Sequence, residues 1–119
     1  MGEYSFEKLA VYQESMDLVE KIYQITKNFP FPEQFGVISQ IRRAALSISL
    51  NIAEDKGRYH TKIFTQFLYQ ARGSLYETIA LIKLSHRLKY LDKQSEQTLL
   101  VLSDSISTKL SNLINSMKV

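Results

Sequence analysis

The chain contains no cysteine and no tryptophan, and its 119 residues include only two histidines, two prolines and four glycines. Without cysteine there is no disulfide, no thiolate nucleophile and no Cys-ligated zinc or iron–sulfur centre, and the composition fits a reducing, cytoplasmic compartment. His60 and His86 belong to no Glu-x-x-His or His-x-x-x-His pair, so no helix face is set up to hold a metal, and no cofactor is expected. The arginine that precedes the histidine by four to six residues in small helical-bundle ribonucleases is also missing before both. The glycines stand alone at positions 2, 36, 57 and 73, which excludes a glycine-rich loop cradling a phosphate. No serine stands at a strained turn signal. These absences leave no enzymatic signature. The longest uncharged apolar run near the centre, Ala44 to Ala53, is far short of the roughly 20 residues of a membrane span. The amino terminus has no basic-then-apolar leader, so a soluble, unexported protein without a membrane partner is expected.

What is present is material for helices. Hydrophobic residues make up 45% and charged residues 23%, a globular balance, while the shortage of glycine and proline leaves too few turns for an all-β fold. The length suits one domain spanning 1–119. The first helix is expected from Phe6 to about Asn28, with Ser5 as N-cap. It carries two apolar stripes: Leu9, Tyr12, Met16, Val19 and Tyr23, and beside them Val11, Leu18, Ile22 and Ile25. A monomeric four-helix bundle buries one stripe per helix, so the second, Val11, Leu18, Ile22 and Ile25, is assigned to a contact between subunits.

Phe29-Pro30-Phe31-Pro32 breaks that helix, because a residue before proline is pushed out of the α region. A second helix follows from about Glu33 to Lys56, with Gly57 as its C′ residue. Val37, Ile41, Ala44, Ala45, Ile48 and Ile52 share one narrow face, and the alanines let a neighbouring helix come close. Gln40, Arg43, Asn51 and Glu54 are read as structural polar residues. Arg43 and Glu54, eleven residues apart, are about 16 Å apart along one helix, so their partners must lie on other helices. The third helix is expected from Lys62 to Tyr90 with Thr61 as N-cap, burying Phe64, Phe67, Leu68, Ala71, Leu75, Ile79 and Ile82. The fourth, capped by Asp92 or Ser95, carries Leu99, Leu102, Ile106, Leu110, Leu113 and Met117 as a bundle seam. Short links between consecutive helices give an all-α, antiparallel up-down-up-down four-helix bundle.

Charge is distributed unevenly along this frame. Residues 1–41 hold three basic and six acidic side chains, whereas residues 56–93 hold eight basic side chains against Glu77 and Asp92. On the third helix Lys62, Tyr69, Arg72, Tyr76, Lys83 and Arg87 fall within an arc of about 80°, with Arg58 just before it. Cations interleaved with tyrosines can hold phosphates and stack bases, which points to RNA or DNA. The same residues could instead join subunits or hold a protein partner, by pairing with Glu14, Asp17 and Glu20 of a neighbour.

The motifs Leu9-Ala-Val-Tyr-Gln13, Phe29-Pro30, Phe35-Gly36, Gln40-Ile-Arg-Arg-Ala-Ala45, Asn51-Ile-Ala-Glu54, Gly57-Arg-Tyr59 and Ala71-Arg-Gly-Ser-Leu-Tyr-Glu77 occur in this order. Together they resemble the 23S rRNA-intervening sequence protein family. That resemblance implies a left-handed antiparallel bundle assembling into a homopentameric ring, related to the nucleic-acid-binding accessory proteins of diversity-generating retroelements. It carries over no catalytic role for Gln40, Arg42, Arg43, Asn51 or Glu54. The family usually reads Asn-Ile-Ala-Glu-Gly where this chain has Asp55.

Overall fold

The computed structural model describes residues 5–54, 57 and 60–118. Four helices form the fold, and no strand occurs among the described residues: α1 (Ala10–Thr26), α2 (Val37–Ile52), α3 (Thr61–Arg87) and α4 (Lys93–Ser116). At 1.5 Å per residue α3 is about 40 Å long and sets the long dimension of the molecule, 44 Å. Each helix packs on the next, and α1 closes the ring against α4; the α2–α3 contact is the most extensive. Leu18 and Ile22 of α1, Ile41, Ala45, Ile48 and Ile52 of α2, Leu68, Ala71, Leu75 and Ile82 of α3, and Leu99, Ile106, Leu110 and Ile114 of α4 make the core.

The connections at one end are clasped together. The Tyr90 hydroxyl, between α3 and α4, donates to Glu33 Oε2 at 2.7 Å, between α1 and α2, and the Phe29 and Tyr90 rings lie 5.6 Å apart. That the first and third links share one end is what alternating helix directions require. Hydrogen bonding to Glu33 holds the Tyr90 phenol above its ordinary pKa.

Helix ends differ from the sequence expectation for local reasons. A 3-10 turn, Ser5–Lys8, precedes α1, and extended Leu9 is the residue before the helix. Phe6 folds back edge-on to the Tyr12 ring at 4.9 Å, and Gln13 Nε2 donates to Glu7 O, so the chain bends at Leu9 instead of continuing as helix. Another 3-10 turn, Phe31–Glu33, follows the prolines, and non-helical Gly36 delays α2 to Val37. At the other end α2 stops at Ile52. Gly57 is therefore not its C′ residue; it is buried where a Cβ would stand 2.9 Å from Phe64 Cα, so Gly57 itself lies directly against α3. His60, not Thr61, occupies the position before α3. Of the two caps expected for α4, Asp92 and Ser95, it is Asp92 that serves, its Oδ1 accepting from Ser95 N at 2.7 Å, and that bond lowers the Asp92 pKa.

Past its C-cap, Leu88, α3 terminates in a left-handed residue that is not glycine. Lys89 has φ 67°, with Lys89 N donating to His86 O and Tyr90 N to Ser85 O, the paired bonds of a Schellman ending. A Cβ in this region costs about 1 kcal/mol or more, so Lys89→Gly should raise stability by up to about 1 kcal/mol. Urea unfolding measures this; an unchanged midpoint would mean that the glycine's freedom in the unfolded chain cancels the relief.

Candidate functional site

The outward edge of α3 is a ladder of period seven. Lys62, Tyr69, Tyr76 and Lys83 succeed one another at seven-residue steps, about 10.5 Å each, and drift only about 20° around the helix per step. Both lysines are exposed, and Tyr69 and Tyr76 expose 41% and 55% of their surface, so neither ring is needed by the core. Half-buried Arg72 lays its guanidinium over the Tyr69 ring, 4.9 Å from the centroid, a cation–π pair that fixes both side chains. Arg87 is exposed at the far end, and Arg58 lies outside the described residues. Between the two tyrosines sits exposed Gly73, where a Cβ would meet nothing within 4 Å beyond its chain neighbours and the backbone of α3 itself. Among the described residues none of Lys62, Arg72, Lys83 or Arg87 pairs with a carboxylate. This edge is cationic and partly aromatic, and no carboxylate among the described residues neutralises it.

The stripe assigned to subunit contact is placed differently. Val11, Leu18 and Ile22 expose 4%, 0% and 1% and are core residues of the single chain, and Ile25 is half-buried against them. The reason lies in their neighbours: Ser15 and Thr26 on the same face donate to Tyr12 O and Ile22 O of their own helix, so they can be buried and the whole face can turn inward. The outward apolar surface on this side of the bundle comes from Met16 and Tyr23 of the other stripe, from Phe35 in the turn before α2, and from Leu46 and Leu50 of α2. Part of it forms an open groove of about 380 Å³, with Arg42 and Arg43 on its wall.

The structural arginine is Arg42, not Arg43. Arg42 Nε donates to Thr26 Oγ1 at 2.8 Å, and its guanidinium lies 4.6 Å over the Tyr23 ring, tying α2 to α1. Arg43 and Gln40 are both exposed and, among the described residues, hydrogen-bond through their side chains only to each other, at 3.4 Å within α2. Among the described residues Arg43 lacks the partner on another helix that was expected of it, because its side of α2 points away from the bundle. Half-buried Asn51 donates to Ser47 O and Oγ, and Ser74 Oγ of α3 donates to the same Ser47 hydroxyl. Glu54 is half-buried just beyond the α2 C-cap, and Asp55 lies outside the described residues.

One cluster combines a serine, a lysine and a carboxylate. Ser105 Oγ donates to Glu14, and Lys109 Nζ donates both to Ser105 Oγ at 2.9 Å and to Glu14 Oε2 at 2.7 Å. A Ser–Lys nucleophile needs an amine that accepts the hydroxyl proton; here the amine donates to the hydroxyl, so the cluster joins α1 to α4. Burial would raise the Glu14 pKa, but the bonds from Lys109 and Ser105 outweigh it and leave it lowered. Among the described residues no three His, Asp or Glu side chains converge to hold a metal, and no helix is long and apolar enough to cross a membrane.

Fold and surface together define a four-helix bundle that presents a basic, tyrosine-bearing edge. The chain belongs to the 23S rRNA-intervening sequence protein family, whose model matches residues 7–112. Its fold is similar to the crystal structure, at 1.70 Å resolution, of a protein of unknown function from the S23 ribosomal protein family of Bacteroides thetaiotaomicron. The two share 24% identity with a TM-score of 0.80, over 88% of this chain and 95% of that one. No curated protein matches the sequence.

Proposed function

We propose that the protein is a non-enzymatic, cytoplasmic, homo-oligomeric binding module, a pentameric ring whose α3 edges hold RNA or DNA. The observation that carries this reading is the α3 edge itself, where four cations without carboxylate partners among the described residues stand beside two exposed tyrosines. Oligomerisation is supported by the exposed apolar surface of α1, α2 and the turn before α2, where Phe35 is 90% and, on α2, Leu50 58% exposed.

Retention of total cellular RNA and DNA at two salt concentrations tests the proposal. Each phosphate neutralised contributes about −0.9 to the slope of log affinity against log salt on duplex DNA, and about −0.7 on a single strand. Lys83→Glu combined with Arg87→Glu should abolish retention at ~50 mM salt, with helical circular dichroism unchanged because both side chains are exposed. No retention by the wild type at that salt overturns nucleic-acid binding. Loss of oligomeric mass in the double variant transfers the basic edge to a subunit contact and favours a scaffold for a protein partner.

A further inference from the structure

We propose that the ligand of the α3 edge is a single strand, RNA or DNA, whose unpaired bases stack above Gly73 between Tyr69 and Tyr76; this rests on the nucleic-acid reading above. Three features of the edge converge on a base and not only on a phosphate. The tyrosines stand seven residues apart on a straight helix, about 10.5 Å along its axis, which leaves space for no more than two bases at about 3.4 Å each. Gly73 keeps the floor of that interval low: apart from its chain neighbours Arg72 and Ser74 and the backbone of α3 itself, nothing lies within 4 Å of its absent Cβ, and Arg72 turns its guanidinium onto the Tyr69 ring. A glycine in the middle of an exposed helix costs about 1 kcal/mol relative to alanine, and the fold gains nothing in return.

The walls of the interval differ. On one side Tyr69 and Arg72 are already assembled 4.9 Å apart, a platform of the kind on which bases stack. On the other, Tyr76 is the more exposed ring, at 55%, and has no ring or cation partner among the described residues. Lys62 lies about 10.5 Å before the pair and Lys83 about 10.5 Å after it, so a strand running along α3 meets a cation on leaving the interval in either direction. A duplex cannot use the interval, because its bases are paired and stacked inside; it meets only the cations. Stacking is blind to the sugar, so RNA and DNA strands are served alike.

The test uses the full-length protein with fluorescein-labelled oligo-dT, oligo-U and a DNA duplex of the same length, read by anisotropy at ~50 mM salt. The informative variant is Gly73→Leu, which fills the interval and suits the helix, so circular dichroism and melting should show a fold at least as stable. It should weaken both single strands by at least about 10-fold and change the duplex less than about 2-fold. Tyr76→Ala should do the same, and Tyr76→Phe should retain binding, because stacking needs the ring and not the hydroxyl. If wild-type protein binds no probe, nucleic-acid binding itself fails. If single strands and duplex bind alike and Gly73→Leu changes neither, the cations alone make the contact; that overturns the stacking site and leaves the broader reading standing. If Gly73→Leu alters the mass in solution, the interval receives a second copy of the chain, and the single-strand proposal is overturned.

Discussion

Leu18→Glu is expected to leave no cooperative melting transition at 25 °C. Leu18 has 0% exposure and belongs to the core of the bundle, so the substitution removes about 2–3 kcal/mol of apolar burial and places a carboxylate among apolar side chains. An uncompensated buried charge adds several kcal/mol more, and the sum rivals the roughly 5–15 kcal/mol total stability of an ordinary domain. Ile22→Glu, at 1% exposure, should behave the same way. The contrasting variant is Leu46→Glu with Leu50→Glu, at 37% and 58% exposure. It should keep the helical signal and a cooperative melt while lowering the mass found by light scattering. A folded Leu18→Glu protein of reduced mass would mean that this stripe faces another subunit.

The second large effect is expected where α2 and α3 press together. Ala45 and Ala71 both have 0% exposure, on the packed faces of the two helices in most extensive contact. Small residues there set the distance between the axes, which for packed helices is 8–10 Å, roughly, and depends on the side chains at the crossing. Ala71→Leu adds three carbons to a filled space and should cost about 1–3 kcal/mol, with Ala45→Leu in the same range. The two together should cost more than the sum, since each blocks the shift that would accommodate the other. Urea midpoints at constant m-value measure this. A neutral Ala71→Leu would show that the helices part without penalty, and that the alanines do not set the spacing.

The helix count, the Asp92 cap and the inward faces of α2, α3 and α4 were legible in the sequence because each rests on a local rule: periodicity, a cap three residues before its donor, a proline corner. The orientation of α1 was not. Tyr12, Met16 and Tyr23 are as apolar by spacing as Leu18 and Ile22, and period alone cannot say which stripe a neighbour will cover. The deciding residues were Ser15 and Thr26, which look like a polar edge yet bond to their own helix and can be buried. Choosing between Arg42 and Arg43 needed the tertiary structure too, since adjacent residues differ by 100° and only the approach of α1 selects one. The α3 edge could be read from its spacing, because it depends on one helix alone. The bare interval at Gly73 could not, since its emptiness is a property of everything around it.

Ser15, Ser49, Thr78, Ser85 and Ser103 are all buried, and each donates its hydroxyl to a carbonyl three or four residues back in its own helix. These hydroxyls therefore tie no helix to another, and sliding one helix past its neighbour by two turns would leave every one of them bonded. The bonds that such a slide would break stand nearer the rim: Arg42 to Thr26 for α1 and α2, Ser74 to Ser47 for α2 and α3, Lys109 to Glu14 for α1 and α4, and Tyr90 to Glu33 at the clasped end. The interior holds the helices together with little preference among alignments that match in shape, and a few peripheral side chains decide which alignment is kept, as dowels fix the registration of two smooth plates.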